Sequence, residues 1–261
     1  MKDQQNLLIF DDQRQMSGFM VRKWKQLSEE AIERKGVFVA ALSGGKTPVN
    51  FYQTLAGKKG MLSWNKTHLF LADERFLPFE DKDSNYRLLR KTLLDKIEIP
   101  QENIHPIPTG RSTPQISARV YEEDLRIFFK LRSEQYPEFD LILLGIGEDG
   151  HTASLFPGSA VLKERDSLAA AVILDEIKHH RITLTLPVIN HARQVVFLIS
   201  GKSKASVLEK VVSQKDLSLP ASMVNPDTGK PLFLSDLEAA SKVTPHDQNE
   251  EDTRFRFTPG R

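Results

Sequence analysis

The 261-residue chain carries 36 Lys+Arg against 35 Asp+Glu, a net charge of +1, which argues against a nucleic-acid partner bound through a broad basic field but leaves room for one pocket of a few cations. Cysteine is absent, which excludes a Cys nucleophile, a disulfide scaffold and any thiolate metal site. The N-terminus is polar, and the longest apolar runs, residues 168–174 and 141–146, fall far short of a bilayer span, so a cytoplasmic chain with no membrane partner is the expectation.

Met16, Phe19, Met20, Trp24, Leu27 and Ala31 recur every three or four residues and predict a helix with one buried stripe. Residues 37–42 form a continuous apolar run bounded by Gly36 and by Ser43-Gly44-Gly45, the pattern of a strand buried on both faces. Thr47 before Pro48 reads as an N-cap followed by proline at the first helical position, opening a helix to about Leu55. Next come a strand at 68–72 and a helix capped by Ser84 that carries Tyr86, Leu89, Leu93 and Ile97. A loop with four prolines covers 100–114, and Ile116, Val120, Leu125 and Phe128 mark a further helix. Residues 139–144, 168–174, 182–186 and 195–199 read as strands and 204–212 as a helix. Strands alternating with helices predict an α/β fold with a mostly parallel central sheet covered on both faces. No domain boundary shows within 1–240, which reads as one domain, and the polar stretch 241–261 reads as a loosely ordered tail.

Polar clusters follow several apolar runs directly, where a parallel sheet binds its ligands. In Ser43-Gly44-Gly45-Lys46-Thr47-Pro48, two glycines and a helix start offer bare N–H groups, a helix dipole and the Thr47 hydroxyl to an anion. The Gly45-Lys46-Thr47 string is not a nucleotide P-loop, which needs glycine where Ala40 stands and has no place for Pro48. Gly145-Ile146-Gly147-Glu148-Asp149-Gly150 matches a dinucleotide fingerprint only in letters. The acid that should end the next strand is missing from Ala169-Ala170-Ala171, and Pro157-Gly158 interrupts the helix that should follow.

Asp149-Gly150-His151 suits chemistry better. An imidazole serves as a general base near neutral pH, and a carboxylate two residues away can orient it. No second His stands at ligand spacing from His151, so no metal is expected there. His179 and His180 read as a loop before a strand, and His246 falls in the tail. Asp73-Glu74-Arg75 ends another apolar run and offers contacts to substrate hydroxyl and carbonyl groups. Arg181 and Lys204 are the candidate cations for a phosphate.

In order and spacing, the stretches 43–48, 64–75, 83–86, 139–158 and 200–205 resemble the 6-phosphogluconolactonase family, which is related to glucosamine-6-phosphate deaminases. The resemblance implies a modified Rossmann-like three-layer sandwich, no cofactor and no metal, and a sugar-phosphate substrate bound by a monomer or homodimer. It implies hydrolysis of 6-phospho-D-glucono-1,5-lactone to 6-phosphogluconate in the pentose phosphate pathway. By the same resemblance His151, Asp149 and Arg75 are catalytic. Ser43, Gly44, Gly45, Thr47, Asp73, Arg181 and Lys204 bind substrate, with Arg181 and Lys204 on the phosphate side.

The deaminase relatives carry a catalytic Glu five residues after the Asp-Gly-His histidine, where this chain has Phe156. That favours the lactonase over an isomerase or deaminase. The intact Asp149 and His151 favour it over a non-catalytic sugar-phosphate sensor. Family members usually carry a Trp in the segment corresponding to Pro231-Leu232-Phe233-Leu234, which leaves the packing there an open point.

Overall fold

The computed structural model describes residues 6–58, 60–175 and 177–243. Most of the expected tail, including His246, lies outside the described residues. The chain runs through β1 (Asn6–Phe10), α1 (Gln13–Lys35), β2 (Phe38–Leu42), α2 (Pro48–Ala56), β3 (Thr67–Leu71), β4 (Asp73–Arg75), α3 (Asn85–Thr92) and β5 (Ile104–His105). It continues with α4 (Pro114–Phe129), β6 (Leu141–Leu144), β7 (Ala169–Val172), β8 (Arg181–Leu184), α5 (Leu186–Asn190), β9 (Val195–Ile199), α6 (Ala205–Glu209), α7 (Pro220–Met223) and β10 (Leu232–Asp236).

Seven strands form one sheet in the order β1-β10-β9-β6-β2-β3-β5, with every neighbouring pair parallel. The expected three-layer α/β sandwich is what forms. On one face, α1 and α2 pack Trp24, Phe51 and Tyr52 against Phe38 and Leu69 of the sheet. On the other, α4 packs Tyr121 and Leu125 against Phe70, Ile142 and Phe197. All five residues of β2 are buried, because alternate side chains enter opposite cores; this is why the run reads as continuously apolar.

Local signals set the helix ends. Asp12 caps α1 by accepting the Gln15 N–H at 2.8 Å. Gly36 closes the same helix at φ 86°, a left-handed conformation that favours glycine. Ser84 caps α3 as expected, accepting the Arg87 N–H. That helix stops at Thr92, short of the expected Ile97, which lies in extended backbone. Thr47 departs from expectation: it has helical angles (φ −61°, ψ −46°) and its side chain caps nothing.

Two further corrections concern strands. β7 and β8, read as members of the parallel sheet, instead pair antiparallel with each other and with β4 in a separate three-stranded sheet. The connection 173–180 is too short for a parallel crossover, which takes a dozen or more residues. The edge pair β1 and β10 was not expected from the sequence. In the segment 231–234, whose packing the sequence leaves open, Phe233 of β10 is fully buried and stacks on Phe197 at 4.8 Å and 3°.

Candidate active site

The sheet order places a switch point between β2 and β6. From β2 the chain builds outward through β3 and β5, and from β6 it builds the other way through β9 and β10. Ligands of open parallel sheets bind at such points, beyond the carboxyl ends of the strands. Here the segments following β2, β3, β6 and β9 enclose an open cleft of about 390 Å³. Ser43, Gly44, Gly45, Thr47, Asp73, Arg75, His151 and Lys204 all line it, as do Asn85 and Ser203, which sequence reasoning did not single out.

The loop after β2 is shaped for an anion. Gly45 sits at φ +96°. A side chain on Gly44 would place its Cβ 1.9 Å from Asn85 Oδ1, so only glycine lets the loop pass that close. The Tyr52 hydroxyl of α2 donates to the Ser43 carbonyl at 2.6 Å and braces the loop from below. The Ser43 hydroxyl is buried and has no partner within the protein. Pro48 starts α2 just beyond, so its positive end faces the cleft.

After β6, the chain turns back on itself through Gly147 N–H to His151 O (2.8 Å) and Gly150 N–H to Gly147 O (3.0 Å). Gly150, at φ +84°, makes the turn possible. Thr152 then bridges to Leu155, so no helix opens where a dinucleotide fingerprint would need one. The turn brings Asp149 Oδ1 to 2.6 Å from His151 Nδ1 and to 3.1 Å from the His151 N–H. Hydrogen bonding to His151 holds the Asp149 carboxyl below its ordinary range. An ionised carboxylate only accepts, which assigns the proton to Nδ1 and leaves the Nε2 lone pair for a substrate. Phe156 packs against the imidazole, with ring centroids 4.6 Å apart.

The Asp-Glu-Arg segment divides its labour. Asp73 lines the cleft with both oxygens anchored: Ser154 Oγ donates to Oδ2 at 2.6 Å and Asn85 Nδ2 to Oδ1 at 3.2 Å. Glu74 points the other way, wholly buried, and accepts the N–H groups of Arg75, Asn85 and Tyr86 (each 2.7 Å) and the Ser84 hydroxyl (3.1 Å). Burial pushes its carboxyl upward, against the pull of those N–H bonds. Glu74 thus ties the start of α3 to β4 and places Asn85 beside Gly44. The Arg75 guanidinium donates to the Asp83 carbonyl, which fixes its direction.

Arg181 does not line this cleft. It lines an adjoining lobe of about 240 Å³, together with Arg75, Asp73, His151, Phe156 and Lys178. Lys204 lines the first cleft alone of the two. Asp149 lies behind His151 rather than in the wall.

An all-parallel sheet with an anion cradle at its switch point and an oriented histidine in the same cleft defines a doubly wound α/β protein equipped for acid–base chemistry on a small anionic ligand. Residues 11–233 match the family described as glucosamine-6-phosphate isomerases/6-phosphogluconolactonase, and the chain belongs to that family. It is 41% identical to a 6-phosphogluconolactonase of Synechocystis over 83% of this chain and 89% of that one. It is 35% identical to the 6-phosphogluconolactonase of Rattus norvegicus over 90% and 92%. Among solved structures, a 6-phosphogluconolactonase from Thermotoga maritima superposes with a TM-score of 0.76 at 30% identity, covering 88% of this chain and 99% of that one. A monomeric glucosamine-6-phosphate deaminase shares the fold at a TM-score of 0.77 and 22% identity. No helix among the described residues is long and apolar enough to cross a membrane.

Proposed function

We infer that this chain hydrolyses 6-phospho-D-glucono-1,5-lactone to 6-phosphogluconate, the lactonase step of the pentose phosphate pathway, in the cytoplasm. The observation that carries this reading is one cleft holding both a backbone cradle for an anion and the Asp149-oriented His151. Relatives named for this activity, 35–41% identical over most of their length, support it.

The C6 phosphate sits in the 43–47 loop, on the N–H groups at Gly44 and Gly45, the Ser43 and Thr47 hydroxyls and the Lys204 ammonium. Anchoring that remote group brings C1 to His151 and makes attack nearly intramolecular. Asp73 accepts from a sugar hydroxyl. His151 Nε2 takes a proton from water as the water oxygen bonds to C1. Negative charge gathers on the former carbonyl oxygen, where Arg75 faces it. As the C1–ring oxygen bond breaks, His151 returns the proton to the ring oxygen. The new carboxyl group then ionises to solvent. Phe156 holds the imidazole without offering the second acid–base group that ring-opening deamination uses.

Lactone hydrolysis coupled to 6-phosphogluconate dehydrogenase, above an enzyme-free control, tests the reading. The folded chain is expected to accelerate it strongly, and His151→Ala to lower kcat by ~10²–10⁴. A chain with no acceleration, or a variant with near-normal kcat, refutes respectively the activity and the base.

A further inference from the structure

Arg75 and Arg181 stand directly opposite each other on the antiparallel pair β4 and β8. Like charges in that position repel, so the pairing calls for an anion between or above them. Neither guanidinium is fully spent. Arg75 Nε and Arg181 Nη1 are both buried without a hydrogen-bond partner in the protein. Among the described residues neither arginine forms an ion pair, whereas Lys178 of the same lobe is engaged with Asp83 at 2.6 Å. Burial first, and then the neighbouring Arg75 charge, weigh against the Arg181 cation by more than the nearby Asp73, Glu74 and Asp83 carboxylates favour it, a remaining cost that a bound anion offsets. The lobe shares His151, Asp73 and Arg75 with the main cleft, so one ligand can extend from the 43–47 loop, past the imidazole, into it.

Building on the lactonase reading, we propose that the Arg75–Arg181 pair is a carboxylate subsite: it receives the C1 end of the ligand, as oxyanion and then as product carboxylate, while the phosphate remains at the 43–47 loop and Lys204. This moves Arg181 from the phosphate end, where sequence alone would put it, to the reacting end. It also makes the site a two-anion clamp that retains the open-chain product.

The test compares two ligands by titration calorimetry. 6-Phosphogluconate carries phosphate and carboxylate, and glucitol 6-phosphate carries the same phosphate on the same carbon chain with a neutral hydroxymethyl at C1. The unmodified chain is expected to bind 6-phosphogluconate about tenfold more tightly or better, the scale of one charge-assisted hydrogen-bonded pair. In Arg181→Gln that advantage is expected to shrink to about twofold, with glucitol 6-phosphate binding as before. Should that variant fail to fold, Arg181→Lys replaces it and is expected to lose at least about threefold of the advantage, because an ammonium lacks the two-armed fit.

A variant that weakens both ligands alike returns Arg181 to the phosphate and overturns the proposal, as does an unmodified chain that does not discriminate. If hydrolysis is present but discrimination absent, only the subsite falls. If neither ligand binds and the lactone is not hydrolysed, the subsite falls together with the substrate assignment.

Discussion

Gly147 shows how tightly single residues set this site. A Cβ there would lie 2.1 Å from His151 Nδ1 and 2.4 Å from Asp149 Oδ1, well inside contact distance. The hydrogen-bonded pair is therefore packed down on bare backbone, and the glycine serves the close approach rather than an unusual φ. Gly147→Ala is expected to push the imidazole off its carboxylate and lower kcat at least about tenfold, with KM little changed because the 43–47 loop is untouched. Steady-state kinetics on a variant with normal circular dichroism checks this; a rise in KM at constant kcat would contradict it. Asp149, His151, Arg75 and the 43–47 loop were legible in the sequence because each follows an apolar run within a few residues. Asn85, Ser154 and Glu74 were not, since what they do depends on partners that only the fold supplies: Ser154 meets Asp73 across 81 positions of chain.

At the scale of elements, the four longer helices, α1 to α4, declared themselves through caps, helix-start prolines and apolar stripes, whereas the short α5 and α7 and the strand partnership did not. A buried run such as 169–172 reads the same in a parallel sheet and in a small antiparallel one. Only the short connection to Arg181 carried the distinction. β1 and β10 are joined by pairing between Asn6 and Leu232, a contact that no local pattern announces. The sheet's other edge holds a titratable seam. His68 of β3 and His105 of β5 share a hydrogen bond of 3.1 Å, and His105 lies flat on Phe70 at 4.0 Å and 7°. Burial holds both imidazoles below their usual value, His105 at about 4, where the neighbouring His68 also disfavours its charge. An unfolded His titrates near ~6.5, so between the two values the unfolded chain binds more protons. The contribution is therefore fully present above ~6.5 and is lost as pH falls towards 4. Allowing for partial exposure, His105→Gln is expected to remove about 1 kcal/mol of the stability difference between pH 7 and pH 5. Urea melts of both proteins at the two pH values measure it, and an unchanged difference would rule the seam out as a source.

For the whole molecule, the decisive fact is that no local stretch contains the site. The cleft needs the loops after β2, β3, β6 and β9, which lie on both sides of the switch point and far apart in sequence. A ligand spanning it contacts both halves of the sheet and has nothing comparable to hold in the unfolded chain. Its binding free energy therefore adds to global stability, by ~2.7 kcal/mol at about a hundred times its Kd. For a chain of this size that corresponds to a rise in Tm of about 5–10 °C. 6-Phosphogluconate, with an anion at each end, is expected to reach that rise at a concentration where inorganic phosphate, confined to the 43–47 loop, gives at most a small fraction of it. Thermal melts at matched ligand concentration and ionic strength make the comparison. Equal shifts from the two ligands would mean that only the phosphate cradle is engaged, and that the far wall of the cleft takes no part in holding the sugar acid.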